Sequence, residues 1–531
     1  MARRQSTYKP LLFTTTVRNP KRMKGLLHIL AKFNNQTLTT ELSEKIIGEL
    51  FRYGIYRPIK VSDEIKQKWS STKKGEFSEI ILSDEDVSYI LENNPQSHKE
   101  AGFEKGWPSR FATIFDFAKE LGFVYFWTNE NIEFSEIGLK LANSINVEIQ
   151  EEYILFSEPN PELEQQAFLH AMAKYQRNNP FIRVLNNNVP LILLLEVIQE
   201  LNNDSTFNGA GISKLELPLV LYWKNNDAKS LYLRIKELRD LQGYNPSWEV
   251  ITEICQDEIM EGKDIERDAK SIMVDYPDEF IRKMRLTGLI SLRGGGRFID
   301  INKNEEEKVS YVLENYSEYP TFETEREYFD YMAITDESLI TDTSRTIEIE
   351  ENDKLLSKWI EHYSWELIKK ELEILSKRGK SKDDILKYLS HPIRLEFLTA
   401  IAIKSKHKNV IVIPNYPADD EGIPTSTAGG QGNQGDIECL EEKNGILVEV
   451  TMSGGRTQTM MEVWPIERHL KTFSEKIEAN SMCHFIAPTI FADSHRQIEY
   501  VKHTSGFDIK ARSIDEFVEY LESNDSLYEL N

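Results

Sequence analysis

The segment Ile446-Leu-Val-Glu-Val450 restricts the fold more than any other. An apolar run of this length, bounded by Gly445 and by Met452-Ser-Gly-Gly455, reads as a strand buried on both faces. A carboxylate inside such a strand costs several kcal/mol to desolvate unless a cation or hydrogen bonds compensate it. Alternation places Leu447, Glu449 and Thr451 on one face, with Ile446, Val448 and Val450 on the other. The turn Glu442–Gly445 returns the chain from an earlier strand, Asp436–Leu440, so that Asp436 can lie beside Glu449. Two carboxylates at a strand end form a hard-oxygen site suited to Mg2+. An edge strand with its Glu facing solvent would look the same, and 87 Asp and Glu residues supply chance pairs at almost any spacing.

The surroundings of this strand alternate between helix and strand. An amphipathic helix (Pro392–Ile403) leads to strand Val410–Ile413, a Gly-rich loop (Thr425–Gly435) and the two acid-bearing strands. A helix from Pro465 follows, with Ile466, Leu470, Phe473 and Ile477 on one face, and strand Met482–Ile490 closes the unit. This order predicts an α/β domain with a mixed central sheet over 391–531.

The N-terminal part has a different grammar. In 107–143 a helix carrying Phe111, Ile114, Phe115, Ala118 and Leu121 stops at Gly122, before strands Phe123–Trp127 and Ile132–Ser135. In 264–302 a helix carrying Phe280, Met284 and Leu286 stops at Gly288, before strands Leu289–Leu292 and Arg297–Ile301. Helix, glycine stop and short hairpin, given twice, is the pattern of a winged helix-turn-helix, although hairpins beside helices occur in many small domains. Between them Ser213 is placed to cap a helix carrying Leu215, Leu217 and Leu219. At about 150 residues per domain, 531 residues exceed one core. The expected division is two mainly helical, winged-helix-like units, 1–145 and 146–302, an acidic and helical linker, 303–390, and the α/β domain 391–531.

The net charge of −23 argues against a nucleic-acid partner until its distribution is counted. Residues 1–75 hold sixteen Lys and Arg against five Asp and Glu, whereas 303–353 hold sixteen carboxylates against four basic residues. Fields act over roughly a Debye length, about 8–10 Å, so the basic arm can face DNA on an acidic protein. Arg18, Lys21, Arg22 and Lys24 form its densest group. Arg110 and Lys119 in the first helix–hairpin unit, and Arg282, Lys283, Arg285, Arg293 and Arg297 in the second, are candidates to read guanine edges or hold phosphates. Most cations on a helix face are simply solvated, and that reading stands beside each. No apolar run approaches the roughly 20 residues of a membrane span, and the three cysteines include no CxxC. A reducing cytoplasm and no membrane are expected.

Gly435-Asp-Ile-Glu438, Leu447-Val-Glu-Val-Thr451, Met461-Glu-Val-Trp-Pro-Ile-Glu-Arg-His469 and Phe485-Ile-Ala-Pro488 resemble the cleavage-domain motifs of the AlwI family. These are type II restriction endonucleases, acting as type IIS or strand-specific nicking enzymes, with a PD-(D/E)xK fold. The opening Phe13-Thr-Thr-Thr-Val-Arg-Asn-Pro20 and the two helix–hairpin units are also similar to that family. The resemblance implies that Asp436, Glu449 and Glu462 are catalytic and metal-binding acids, with Mg2+ as cofactor. It further implies that Glu396 is the acid on the preceding helix, and that double-stranded DNA is cut outside a short asymmetric site in the bacterial cytoplasm. Thr451 stands where the general nuclease motif has a lysine, as in the resembling family. His469 would orient a carboxylate or the scissile phosphate, and Arg468 would hold a phosphate; a packed His and a solvated Arg fit the sequence as well. Arg456, after Gly454-Gly455, is also placed for phosphate contact. One site cuts one strand, so a double-strand break implies a transient homodimer or a second subunit. A strand-specific nicking enzyme, a subunit of a heterodimeric enzyme, and a winged-helix regulator without nuclease activity are the alternatives. The regulator gives no reason for a Glu in a buried strand.

Overall fold

The computed structural model describes residues 7–13, 19–207, 209, 211–262, 268–341, 349–428, 434–477 and 480–529. Among them the strands in chain order are β1 (Val124–Tyr125), β2 (Glu133–Phe134), β3 (Asn146–Gln150), β4 (Tyr153–Ser157), β5 (Ile212–Ser213), β6 (Ile290–Arg293), β7 (Phe298–Ile301), β8 (Ile411–Pro414), β9 (Ile437–Glu441), β10 (Asn444–Val450), β11 (Asn480–Ala487) and β12 (Asp508–Ser513). The chain divides into two compact units, one of Met1–Phe51, Ser88–Ser144 and Leu163–Thr343, the other of Arg52–Val87, Ile145–Glu162 and Ser344–Asn531.

The first unit is mainly helical. Helix Trp107–Glu120 buries Phe111, Ile114, Phe115 and Phe117 and ends before Gly122, whose φ of +72° suits a residue without Cβ. The hairpin β1–β2 follows, and Ser135 caps the next helix, Glu136–Ala142, by accepting from Gly138 N. The second helix–hairpin repeats this order with helix Tyr276–Arg285, Gly288 and the antiparallel pair β6–β7. Here β5 adds a third strand on β7, pairing Ile212 with Ile299. Ser213 therefore lies in a strand, not at a helix start. The helix runs Leu217–Tyr222 with Glu216 at its N-cap position, and the Glu216 side chain accepts from Ser213 N.

The second unit is built on a five-stranded sheet, ordered β12-β11-β10-β9-β8. Pairs β8–β9 and β9–β10 are antiparallel, while β10–β11 and β11–β12 are parallel, giving the expected mixed sheet. The unit extends past the predicted last strand, because helix Ala492–Ser505 carries the chain to β12 at the edge. Helices Trp464–Ile477 and Ala492–Ser505 cover one face over Leu447, Cys483, Phe485 and Ile509. Helices His391–Lys406 and Ile514–Ser523 cover the other. The parallel strands, covered on both faces, explain the continuous apolar sequence.

The stretch expected as a linker is divided, 303–343 lying in the first unit and 344–390 in the second. The helix expected from Trp359 to Lys377 is two, Ile349–His362 and Trp365–Ser376, with Ser364 capping the latter through Leu367 N. Both pack on helix His391–Lys406, with Trp359 and Leu372 only 2% exposed, so they are part of the core and not a spacer. No helix among the described residues is long and apolar enough to cross a membrane, and Cys255, Cys439 and Cys483 are buried and unbonded.

Candidate active site

The β9–β10 register creates the site. Asn444 pairs with Glu441 and Val448 with Ile437, so one further step sets Asp436 level with Glu449 at the same sheet end. Glu442, at φ +53°, closes the turn. Asn415, just beyond β8, holds the entry by donating from its backbone N to Asp436 O at 2.9 Å and from Nδ2 to Gly435 O at 2.7 Å.

Each acid has a fixed support. Val450 N donates to Asp436 Oδ2 at 2.8 Å. His469 Nδ1 lies 2.8 Å from Glu449 Oε1, and because an ionised carboxylate only accepts, Nδ1 carries the proton and Nε2 is left for a second partner. Ser453 Oγ donates to Glu462 Oε1 at 2.9 Å, and Ala428 N donates to Glu396 Oε2 at 2.9 Å. Glu449 and Glu396 are 7% and 4% exposed, whereas Asp436 and Glu462 keep part of their surface open. Burial, then the charges of Glu449 and Glu396, hold the Asp436 carboxyl well above the ordinary carboxylate range. Burial also raises Glu462, against the lowering effect of the Ser453 and Thr451 hydroxyls.

Such crowding of like charges asks for a cation. Among the described residues no three His, Cys, Asp or Glu groups gather as ligands of one ion. Asp436 Oδ1 and Glu449 Oε2 have no hydrogen-bond partner there, which fits Mg2+ held by two carboxylates with water and phosphate oxygens completing its shell. Glu462, implied by the resemblance as a further metal-binding acid, faces Ser453.

A family model of the AlwI restriction endonucleases matches residues 119–358 and 345–512. The chain belongs to the AlwI restriction endonuclease family. No curated protein matches it. Among solved structures, the small subunit of the heterodimeric restriction endonuclease R.BspD6I is similar at 22% identity over 30% of this chain and 81% of that one, with a TM-score of 0.25. The restriction endonuclease FokI matches at 11% identity over 98% of this chain and 96% of its own, with a TM-score of 0.26. FokI bound to DNA matches at 11% identity over 98% and 97%, with a TM-score of 0.24.

In this restriction endonuclease the basic candidates fall into distinct environments. Arg18 lies outside the described residues. Lys21, Arg22 and Lys24 are half-buried around the start of helix Met23–Ala31, with Lys24 Nζ 3.6 Å from Glu164. Arg110 is half-buried on its helix. Lys119 is 4% exposed, pairs with Glu325 at 3.0 Å and sits over the rings of Tyr125, Phe126, Trp127 and Phe181. Lys283 is fully buried, bonded to Glu279 at 2.9 Å and 4.7 Å from the Phe13 ring centroid, so no base or phosphate reaches it. Arg285 is 8% exposed. Arg282 pairs with Asp278, and Arg293 with Asp300. Arg297, Arg456 and Arg468 are exposed. Arg297 donates to Asn245 Oδ1 at 2.5 Å, and Arg456 pairs with Glu151 at 3.2 Å.

Sequence reasoning missed the loop that supports Glu462. Gln458, wholly buried, donates from Nε2 to Ser453 O and Thr489 O and accepts from Phe491 N, which pins Ser453. The glycine pair Gly454-Gly455 was its one visible signal.

Proposed function

We propose that this restriction endonuclease hydrolyses DNA phosphodiester bonds with Mg2+ at Asp436 and Glu449, on a PD-(D/E)xK-type sheet, a short distance outside a short asymmetric site in the manner of type IIS enzymes. The observation that carries this reading is the meeting of Asp436 and Glu449 at one sheet end, each oriented by a separate donor and each with one oxygen left over. When bound, Mg2+ would polarise the scissile phosphate and lower the pKa of an attacking water. His469 keeps the Glu449 carboxylate turned into the site. Thr451 supplies no ammonium, so proton removal from the attacking water is assigned to the Glu462 carboxylate. The two helix–hairpin units, read as winged helices, are the site-reading part and act on double-stranded DNA. A single centre of this kind cuts one strand, so a double-strand break requires a transient homodimer or a second subunit.

The deciding experiment incubates supercoiled plasmid with the protein in Mg2+ and in EDTA and sequences the products by run-off. Mg2+-dependent ends at a fixed distance from one shared motif, abolished in Asp436→Ala and Glu449→Ala proteins that still bind the DNA, are the expected result. Intact plasmid with a tight, salt-sensitive gel shift would refute the reading in favour of a DNA-binding regulator.

A further inference from the structure

Residues 452–458 lead from β10 toward helix Trp464–Ile477 and carry Ser453 to Glu462. What holds this loop comes from far away in the sequence. Thr457 Oγ1 donates to Ile154 O at 3.2 Å, across 303 positions. The Arg456 guanidinium stacks 4.1 Å from the centroid of the Tyr153 ring, and its Nη1 lies 3.2 Å from Glu151. Both contacts are with the hairpin β3–β4. Ile154 N in turn donates to Glu79 O at 2.8 Å, and Ile81 N to Glu152 O at 2.9 Å, so residues 79–81 run along the hairpin. The Glu79 carboxylate lies against the glycine pair: a Cβ at Gly454 or Gly455 would stand 3.1 or 3.0 Å from its oxygens, and Gly455 has φ +54°. Arg378 closes the third side by donating to Met452 O. All these residues lie in the second unit.

We propose that the β3–β4 hairpin is a positioning element of the cleavage centre: it fixes the 452–458 loop and, through Ser453, sets the Glu462 carboxylate. Residues 391–531 are then not the whole cleavage unit, since 79–81 and 146–157 are built into it. Arg456 is committed to the hairpin and not to a phosphate. Its exposed ion pair with Glu151 contributes little in water, so the ring of Tyr153 and the buried hydroxyl of Thr457 are the anchors. The proposal rests on the reading of Glu462 as part of the cleavage centre.

The test uses full-length Tyr153→Ala and Thr457→Val proteins beside the conservative Tyr153→Phe and Thr457→Ser. Three quantities are measured: single-turnover cleavage of supercoiled plasmid in Mg2+, affinity for the same DNA in EDTA, and amide hydrogen exchange. Displacement of a reacting group by the order of an ångström slows chemistry by up to about 100-fold. Tyr153→Ala and Thr457→Val should therefore cut about 10- to 100-fold more slowly at unchanged DNA affinity, with faster exchange at 452–458 and unchanged exchange in β10 and β11. Tyr153→Phe and Thr457→Ser should restore the wild-type rate. Unchanged cleavage, or a loss that appears only together with lost DNA affinity and faster exchange throughout β10 and β11, overturns the positioning role. Wild-type protein that leaves the plasmid intact overturns instead the nuclease reading beneath it, and does so before any variant is compared.

Discussion

Gly435→Ala offers a sharp steric probe of the site. The backbone at Gly435 has no positive φ, so alanine can adopt it, and the cost is one of space alone. A Cβ there would stand 2.5 Å from Glu449 Oε1 and 2.6 Å from Leu447 Cδ1, where ordinary contact begins at 3.4 Å. Leu447 can turn only within a packed core, so Glu449 Oε1, the atom hydrogen-bonded to His469 Nδ1, must shift by about 0.9 Å. A misplacement of about 1 Å costs up to about 100-fold in rate, or about 2.7 kcal/mol of transition-state stabilisation. The added methyl costs about 1–3 kcal/mol of stability, which a fold with a margin of about 5–15 kcal/mol survives. Single-turnover cleavage of supercoiled plasmid in Mg2+ should therefore fall by up to about 100-fold while DNA affinity in EDTA stays at the wild-type value. A Gly435→Ala protein that is folded and cuts at the wild-type rate would refute the claim that the position of Glu449 governs the chemistry.

Three further outcomes follow from the same contacts. Asp436, whose carboxyl is raised by burial and then by Glu449 and Glu396, binds its proton more tightly in the native state than in the unfolded chain; its stabilising contribution is full at low pH and lost as pH climbs through the raised value. In EDTA near pH 8, Asp436→Asn should melt above wild type, by about 2–4 °C per kcal/mol relieved, the gap should close on acidification, and added Mg2+ should raise wild type more than the variant. Lys283→Met leaves Glu279 buried with its partner gone and should cost about 3–5 kcal/mol in denaturant unfolding while leaving the cleaved sequence unchanged. Arg468→Ala removes an exposed cation next in sequence to His469 and should leave the melting temperature alone while lowering the slope of log affinity against log salt by about one.

What the sequence discloses, and what it hides, follows the range of the forces involved. Asp436 and Glu449 can be paired from sequence because a two-residue turn fixes the β9–β10 register, and the apolar run around Glu449 announces a strand covered on both faces. The glycine stops at Gly122 and Gly288 mark both hairpins for the same local reason. β5 is invisible because two residues, Ile212 and Ser213, form a strand only by pairing with β7 nearly ninety positions later. The basic face of helix Tyr276–Arg285 misleads because acids four positions earlier, Asp278 and Glu279, pair with Arg282 and Lys283, and a helical wheel of cations cannot show which side is covered. Helices Ile349–His362 and Trp365–Ser376 read as a spacer since their charge pattern suits solvent, while Trp359 and Leu372 find partners on a helix that comes later in the chain.

The pairing of Thr457 with Ile154 also has a consequence for the timing of synthesis. A ribosome adding about 5–20 residues per second needs roughly 15 to 60 s to pass from one partner to the other, a separation of 303 positions. For that interval the hairpin waits without the loop it braces; Glu396, Asp436 and Glu449 are added only toward its end, and Glu462 after it. A message broken anywhere before the codon for Glu449 yields a polypeptide without the acid pair, and one broken between Glu449 and Glu462 yields the pair without the carboxylate that the hairpin is proposed to set. On the proposed reading of the site, a chain that ends before its last acid lacks the complete cleavage centre.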